Sequence, residues 1–217
     1  MNLRRDVSIP CGTLTLEGVL EIPDATENAA AAAVLCHPHP LFGGSMHNNV
    51  IRALRTGLNE RGLISLRFNF RGTGGSWGTH GNGIDEIDDV LAAIDFLESC
   101  KEVDPNRLIV AGYSFGCWVG LRAVSRDPRP KRLIGISPPL DSYDFGFLGN
   151  ESRPKLLLVG DRDFVCPIDR FEDLLDRIPE PKKGVILPGA DHFHVGGEDA
   201  LVREIGLFLD TFPLESA

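Results

Sequence analysis

Apolar side chains follow two spacings along this chain. Short continuous apolar runs are typical of strands buried on both faces of a sheet, whereas apolar positions three and four residues apart indicate helices with one buried face. Near the start, Leu14 and Leu16 alternate with polar residues, which predicts an antiparallel hairpin. The predicted strands are 7–10, 13–22, 30–36, 63–70, 108–111, 132–137, 155–160 and 183–187, and the predicted helices are 45–61, 84–97, 117–125, 168–178 and 198–212.

The order of these elements predicts the fold class. A hairpin followed by strands that alternate with helices gives a mostly parallel, doubly wound α/β sheet of about eight strands, with helices on both faces. Ligands of such sheets bind at the carboxyl ends of the strands. The sequence contains no internal repeat and no linker, so we expect one domain over residues 1–217.

The strand at 108–111 ends in Gly112-Tyr113-Ser114-Phe115-Gly116, directly before a predicted helix. A strand that turns into a helix within one or two residues pushes the residue at the corner, here Ser114, into the open. Glycines flank that corner because a side chain there would collide with the neighbouring strand or helix. The helix N-terminus also offers N–H groups to a developing negative charge. Ser114 is therefore the predicted nucleophile, and the Phe115 N–H is one predicted oxyanion donor.

A serine nucleophile needs a base that removes its proton and an acid that orients the base. On this kind of sheet the acid and then the base follow the serine, each at a strand end. Asp161 and Asp163 follow the strand at 155–160, and His192 and His194 follow the strand at 183–187. We favour Asp163 because it lies further out and reaches the histidine loop more easily, and we expect Asp161 to bond the turn's backbone. We favour His192 because it directly follows a turn, and expect His194 to be a polar loop residue or the start of the next element.

The loop after the strand at 30–36 reads His37-Pro38-His39-Pro40-Leu41-Phe42-Gly43-Gly44. In this fold such a loop supplies the second N–H of the oxyanion hole. Because proline has no N–H, the donor must be His39, Leu41 or Phe42, and we favour Leu41. The two loop histidines do not predict a metal site, because no further ligand follows them at helical or strand spacing.

Composition and charge narrow the choice of partners. The net charge of −9 and the isoelectric point of about 5.1 argue against nucleic acid or an anionic membrane as the main partner. The longest apolar stretch, around residues 29–35, is too short to span a membrane. The N-terminus lacks the apolar core of a secretory signal, and the five cysteines form no CxxC pair. We therefore expect a cytoplasmic protein with reduced thiols.

Taken together, these strings resemble the α/β-hydrolase superfamily over nearly the whole chain. The loop that begins at His37 and the string Asn69-Phe70-Arg71-Gly72-Thr73-Gly74 are similar to a branch of small bacterial hydrolases loosely akin to dienelactone hydrolases. The resemblance implies that Ser114, Asp163 and His192 form a catalytic triad, and no cofactor is expected. Pro38 departs from the family's pattern, since the wider family has glycine there.

In that superfamily a cap inserted after the sixth strand usually sets selectivity. Here the insert comprises only the fourteen residues 141–154, which predicts a shallow, open site without a cap domain. Its large apolar residues either line an acyl pocket or pack the insert onto the body, and Phe145 and Phe147 are the candidate substrate-binding residues. The other two large residues there are Tyr143 and Leu148.

The resulting hypothesis is a serine hydrolase that cleaves small-molecule carboxylic esters, or thioesters, through an acyl-enzyme intermediate. An acyltransferase with the same triad is one alternative. A non-catalytic binding protein of the same fold is another, although such proteins usually lose a triad member and none is missing here.

Overall fold

The computed structural model describes residues 2–24 and 29–214. Its eight-stranded sheet has the strand order β1-β2-β4-β3-β5-β6-β7-β8. The strands are β1 (Leu3–Cys11), β2 (Leu14–Ile22), β3 (Ala30–Cys36), β4 (Ile64–Phe68), β5 (Val103–Tyr113), β6 (Pro130–Ile136), β7 (Lys155–Gly160) and β8 (Lys182–Leu187). The helices are α1 (Asn49–Asn59), α2 (Glu86–Ser99), α3 (Phe115–Val124), α4 (Ile168–Arg177) and α5 (Glu198–Thr211).

The topology confirms the predicted doubly wound sheet. β1 and β2 form an antiparallel hairpin, and β2 also pairs antiparallel with β4. All pairs from β4 through β3 to β8 are parallel. Alternate residues of each central strand face opposite sides, as Ala32 and Val34 do relative to Ala33 and Leu35. One face packs against α2, α3 and α4, and the other against α1 and α5.

Several element boundaries differ from the predicted ones for reasons visible in the backbone. The helix predicted at 45–61 begins at Asn49, because the Asn48 side chain accepts the Val50 N–H (2.9 Å) and caps the helix. β1 is longer than predicted because β2 pairs with it along its whole length, from Leu3 opposite Ile22 onward.

The connection after β6 carries no cap over the sheet edge. It contains only a 3₁₀ segment, Gly146–Asn150, before β7 begins. In the described ranges, no helix combines the length and the apolar character that crossing a membrane would require.

His37 ties the end of β3 to the loop that follows β4. Its Nε2 accepts the Phe70 N–H (3.0 Å), and its Nδ1 lies 2.6 Å from the carbonyl oxygen of Pro38, to which it donates. Burial lowers the pKa of His37 to about 4, and the bond to Pro38 offsets this only in part. His37 is therefore neutral near pH 7, with both ring nitrogens occupied in holding the loop.

We predict that His37 makes the fold sensitive to acid. An unfolded histidine titrates near 6.5 and His37 near 4, so the unfolded chain binds the proton first as the pH falls. The free energy of unfolding should therefore drop between about pH 6.5 and pH 4, by roughly 3 kcal/mol at the lower end. Denaturant titrations of the wild type and of His37→Gln across this range measure the difference.

His37→Gln keeps a hydrogen-bonding side chain that does not titrate, so its stability should fall less steeply over the same range. The exposed His47 provides the matched control, and His47→Gln should retain the wild-type slope. An identical slope for His37→Gln and wild type would contradict the prediction.

Candidate active site

Ser114 lies at the sharp corner between β5 and α3. Its backbone has φ 53° and ψ −120°, in the left-handed half of φ space that residues with side chains rarely adopt. A Cβ at Gly112 would collide with the carbonyl oxygen of Gly116, and a Cβ at Gly116 with that of Cys36. The two glycines thus allow strand and helix to approach closely enough to form the corner.

The structure brings Ser114, His192 and Asp163 together in one hydrogen-bonded chain. Ser114 Oγ lies 3.0 Å from Nε2 of His192. Nδ1 of His192 lies 2.9 Å from Oδ1 and 3.0 Å from Oδ2 of Asp163. The three side chains follow β5, β8 and β7, and all three are buried. With its proton on Nδ1, the imidazole donates to Asp163 and can accept the hydroxyl proton of Ser114.

The Asp163 carboxylate is held by several donors. The N–H groups of Val165 and Cys166 both donate to Oδ1 at 2.9 Å. Burial opposes ionisation, but the hydrogen bonds from His192 and Ser137 outweigh it and hold the pKa of Asp163 below its usual value. Asp163 is therefore an ionised group in a fixed orientation.

Asp161 supports the neighbouring loop. Its Oδ1 accepts the N–H of Gly189 at 2.7 Å, in the turn that precedes His192. The expected bond to backbone N–H is present, but it reaches the turn after β8 and not the turn of Asp161 itself.

His194 lies in the loop between β8 and α5, and its side chain is buried. It has φ 53°, and its Nε2 lies 2.8 Å from Oγ of Ser137. Burial lowers its pKa, so the ring is neutral near pH 7. Ser137 also helps to lower the pKa of Asp163, so the Ser137–His194 pair belongs to the surroundings of the carboxylate. Sequence reasoning missed Ser137, although its position at the end of β6 faces the same sheet edge.

Tyr113 is a second residue that sequence reasoning missed. Its hydroxyl donates to the carbonyl oxygen of His192 at 2.7 Å, which fixes the histidine loop against the elbow. Tyr113 occupies a variable position of the Gly-x-Ser-x-Gly motif, directly before Ser114, so the sequence did not indicate this hydrogen bond.

The oxyanion assignment of Leu41 needs correction. Leu41 belongs to a 3₁₀ turn, Pro40–Phe42, and its N–H donates to Nδ1 of His39 at 3.2 Å. The Phe42 N–H donates to the carbonyl oxygen of His39. Among the three loop candidates, only the His39 N–H has no acceptor within the described residues. The Phe115 N–H, in contrast, lies as expected in the first turn of α3, where helical N–H groups have no partner in the helix.

An open cleft of about 670 Å³ surrounds Ser114 and His192. His39 and Tyr143 form part of its wall, as do Phe164 and Phe193. The two phenylalanines were not predicted, although each directly follows a triad candidate in the chain.

Phe145 and Phe147 do not line this cleft, so their assignment as substrate-binding residues was wrong. Phe145 is buried in the core and stacks on Phe147, with ring centroids 5.7 Å apart. The insert turns these rings inward, onto the face of the sheet that carries α2, α3 and α4. Tyr143, from the same insert, reaches the cleft and stacks on Trp118 at 4.2 Å.

The structure offers little to a metal ion. Within residues 2–24 and 29–214, no group of three or more His, Cys, Asp or Glu side chains could hold one.

Comparisons with known proteins agree with this geometry. The sequence model of the prolyl oligopeptidase family matches residues 51–138, which include the elbow, the sharp turn around Ser114. An uncharacterized protein of Rickettsia prowazekii is 38% identical over 177 residues, which cover 78% of this chain and 74% of that protein.

Two solved structures match almost end to end. An α/β serine hydrolase homologue from Coxiella burnetii is 32% identical, with a TM-score of 0.87 over 94% of this chain and 97% of that one. An α/β serine hydrolase without a lid from Xanthomonas campestris is 28% identical, with a TM-score of 0.87. The match covers 99% of this chain and 97% of that one. By its sheet, its elbow and these relatives, the chain belongs to the α/β-hydrolase superfamily, in the branch of small serine hydrolases without a lid.

Proposed function

We propose that the chain is a serine esterase that hydrolyses carboxylic esters, or thioesters, through an acyl-enzyme intermediate. One observation carries the proposal: the unbroken hydrogen-bonded chain from Ser114 through His192 to Asp163. Each distance is short enough for proton transfer or orientation without a change of structure.

In the first half-reaction, Ser114 Oγ attacks the ester carbonyl while Nε2 of His192 takes its proton. Asp163 keeps the imidazole in the correct tautomer and stabilises the imidazolium that forms. The N–H groups of Phe115 and His39 donate to the oxyanion of the tetrahedral intermediate. Nε2 then returns its proton to the leaving alcohol or thiol, and the acyl group stays on Ser114.

In the second half-reaction, water enters the open cleft and His192 removes its proton. The resulting hydroxide equivalent attacks the acyl carbonyl, and the same N–H donors hold the second oxyanion. Collapse of this intermediate releases the carboxylic acid and returns the proton to Ser114.

We predict that Ser114→Ala abolishes esterase activity. Release of p-nitrophenol from p-nitrophenyl butanoate should fall at least about a thousandfold, because no nucleophile remains. A fluorophosphonate probe should label the wild type at Ser114, detected by mass spectrometry of the intact protein and its peptides. The exposed Ser125 provides a matched control, and Ser125→Ala should retain both activity and labelling.

Folded wild-type protein that neither hydrolyses the ester nor reacts with the probe would contradict the proposal. That result would favour a binding protein with this fold. Ser114→Ala with undiminished activity would also contradict it.

We predict that Asp163→Asn lowers kcat by about 10² to 10⁴, since the amide favours the wrong imidazole tautomer and leaves the imidazolium without a counter-charge. The KM should change little, because Asp163 does not contact the substrate. Asp161→Asn is the matched variant: it keeps an acceptor for the Gly189 N–H, so its kcat should fall by less than about tenfold. Equal losses in the two variants would argue against Asp163 as the acid.

A further inference from the structure

Two exposed phenylalanine rings stand beside the imidazole of His192. Phe164 is 65% exposed and Phe193 is 54% exposed. Their ring centroids lie 5.8 Å apart. The centroid of Phe164 lies 5.8 Å from the centroid of the His192 ring, and the centroid of Phe193 lies 6.0 Å from it. Large apolar side chains left in water next to a reactive group indicate a binding surface.

We propose that Phe164 and Phe193 bind the leaving group of the ester, and that this leaving group is an uncharged apolar alcohol, preferably an aromatic one. The inference rests on the proposed function. Because Nε2 of His192 must protonate the leaving oxygen, the alcohol departs on the imidazole side of Ser114. The two rings flank that side of the cleft.

The strand order separates this side from the rest of the cleft. Phe164 follows β7 and Phe193 follows β8, on one side of β5 and its Ser114. Phe42 follows β3, on the other side of β5, and its ring lies 4.8 Å from that of His39. Phe42 is therefore an apolar ring of the same cleft that does not face the leaving group.

The described lining of the cleft carries no charged side chain, which favours an uncharged leaving group. None of the described residues that line the cleft is Lys, Arg, Asp or Glu. The histidines in the lining are His39 and His192. Arg162, although adjacent to Asp163 in the chain, is not part of the lining. Burial lowers the pKa of His39, which keeps that ring neutral near pH 7. The described part of the cleft thus offers no counter-ion to a charged group bound next to His192, on a protein of net charge −9.

Esters of one acid with different alcohols test the inference, because all of them form the same acyl-enzyme. We would compare kcat/KM for methyl butanoate, benzyl butanoate and butanoyl-coenzyme A in the wild type, Phe164→Ala, Phe193→Ala and Phe42→Ala. The wild type should prefer the benzyl ester. Each of Phe164→Ala and Phe193→Ala should lower kcat/KM for the benzyl ester about five- to tenfold, as expected for the loss of one aromatic contact, and that for the methyl ester less than twofold.

Phe42→Ala should keep the wild-type ratio of benzyl to methyl ester. Hydrolysis of the preformed butanoyl-enzyme, followed by mass spectrometry, should be unchanged by Phe164→Ala and Phe193→Ala, since the alcohol has already left. Thermal melts should show that these exposed truncations keep the fold.

The leaving-group assignment would be overturned if both Phe164→Ala and Phe193→Ala kept the wild-type ratio of benzyl to methyl ester. It would also be overturned if butanoyl-coenzyme A were the best substrate. Neither result would contradict the proposed esterase activity. Folded wild type that hydrolyses none of the three compounds and does not react with the fluorophosphonate would overturn the esterase and the assignment together.

Discussion

The structure depends on the close approach of three backbone segments around Ser114. The end of β3, the end of β5 and the first turn of α3 meet where Gly112 and Gly116 carry no side chain. This contact holds the serine in its left-handed backbone conformation and aims its hydroxyl at His192. The same contact fixes the N–H groups at the start of α3 next to that hydroxyl. A methyl group at either glycine would therefore disturb the nucleophile and the N–H groups at once.

Burial lowers the pKa of three histidines around this corner, His37, His39 and His194, and so keeps them neutral near pH 7. Asp163, in contrast, stays ionised because its hydrogen bonds outweigh the cost of burial. The carboxylate of Asp163 lies against Nδ1 of His192, which favours a proton on Nδ1 and leaves Nε2 free to accept one from Ser114.

Sequence reasoning predicted the fold and the residues that meet at the sheet edge, because both follow from local signals. Apolar runs mark the strands, and the carboxyl ends of parallel strands share one edge, so residues just beyond β5, β7 and β8 must come close together. The wrong predictions concern the orientation of N–H groups and side chains, which the spacing of residues along the sequence does not determine. Leu41 was chosen without knowing that a 3₁₀ turn uses its N–H, and Phe145 without knowing that the insert folds it into the core. Ser137 and Tyr113 act through tertiary contacts between strands that are distant in sequence.

The short connection after β6 also bears on the fate of the acyl group in the proposed acyl-enzyme. In enzymes that close over their substrate, a lid can keep solvent away while a second alcohol or amine is brought in. Here the 3₁₀ segment Gly146–Asn150 and the residues around it pack onto the body and leave the cleft open. Bulk water then has direct access to the acyl carbonyl, so an acceptor other than water would have to be held in place by its own contacts to compete. In the proposed reaction, this architecture favours release of the free acid over transfer of the acyl group to another acceptor.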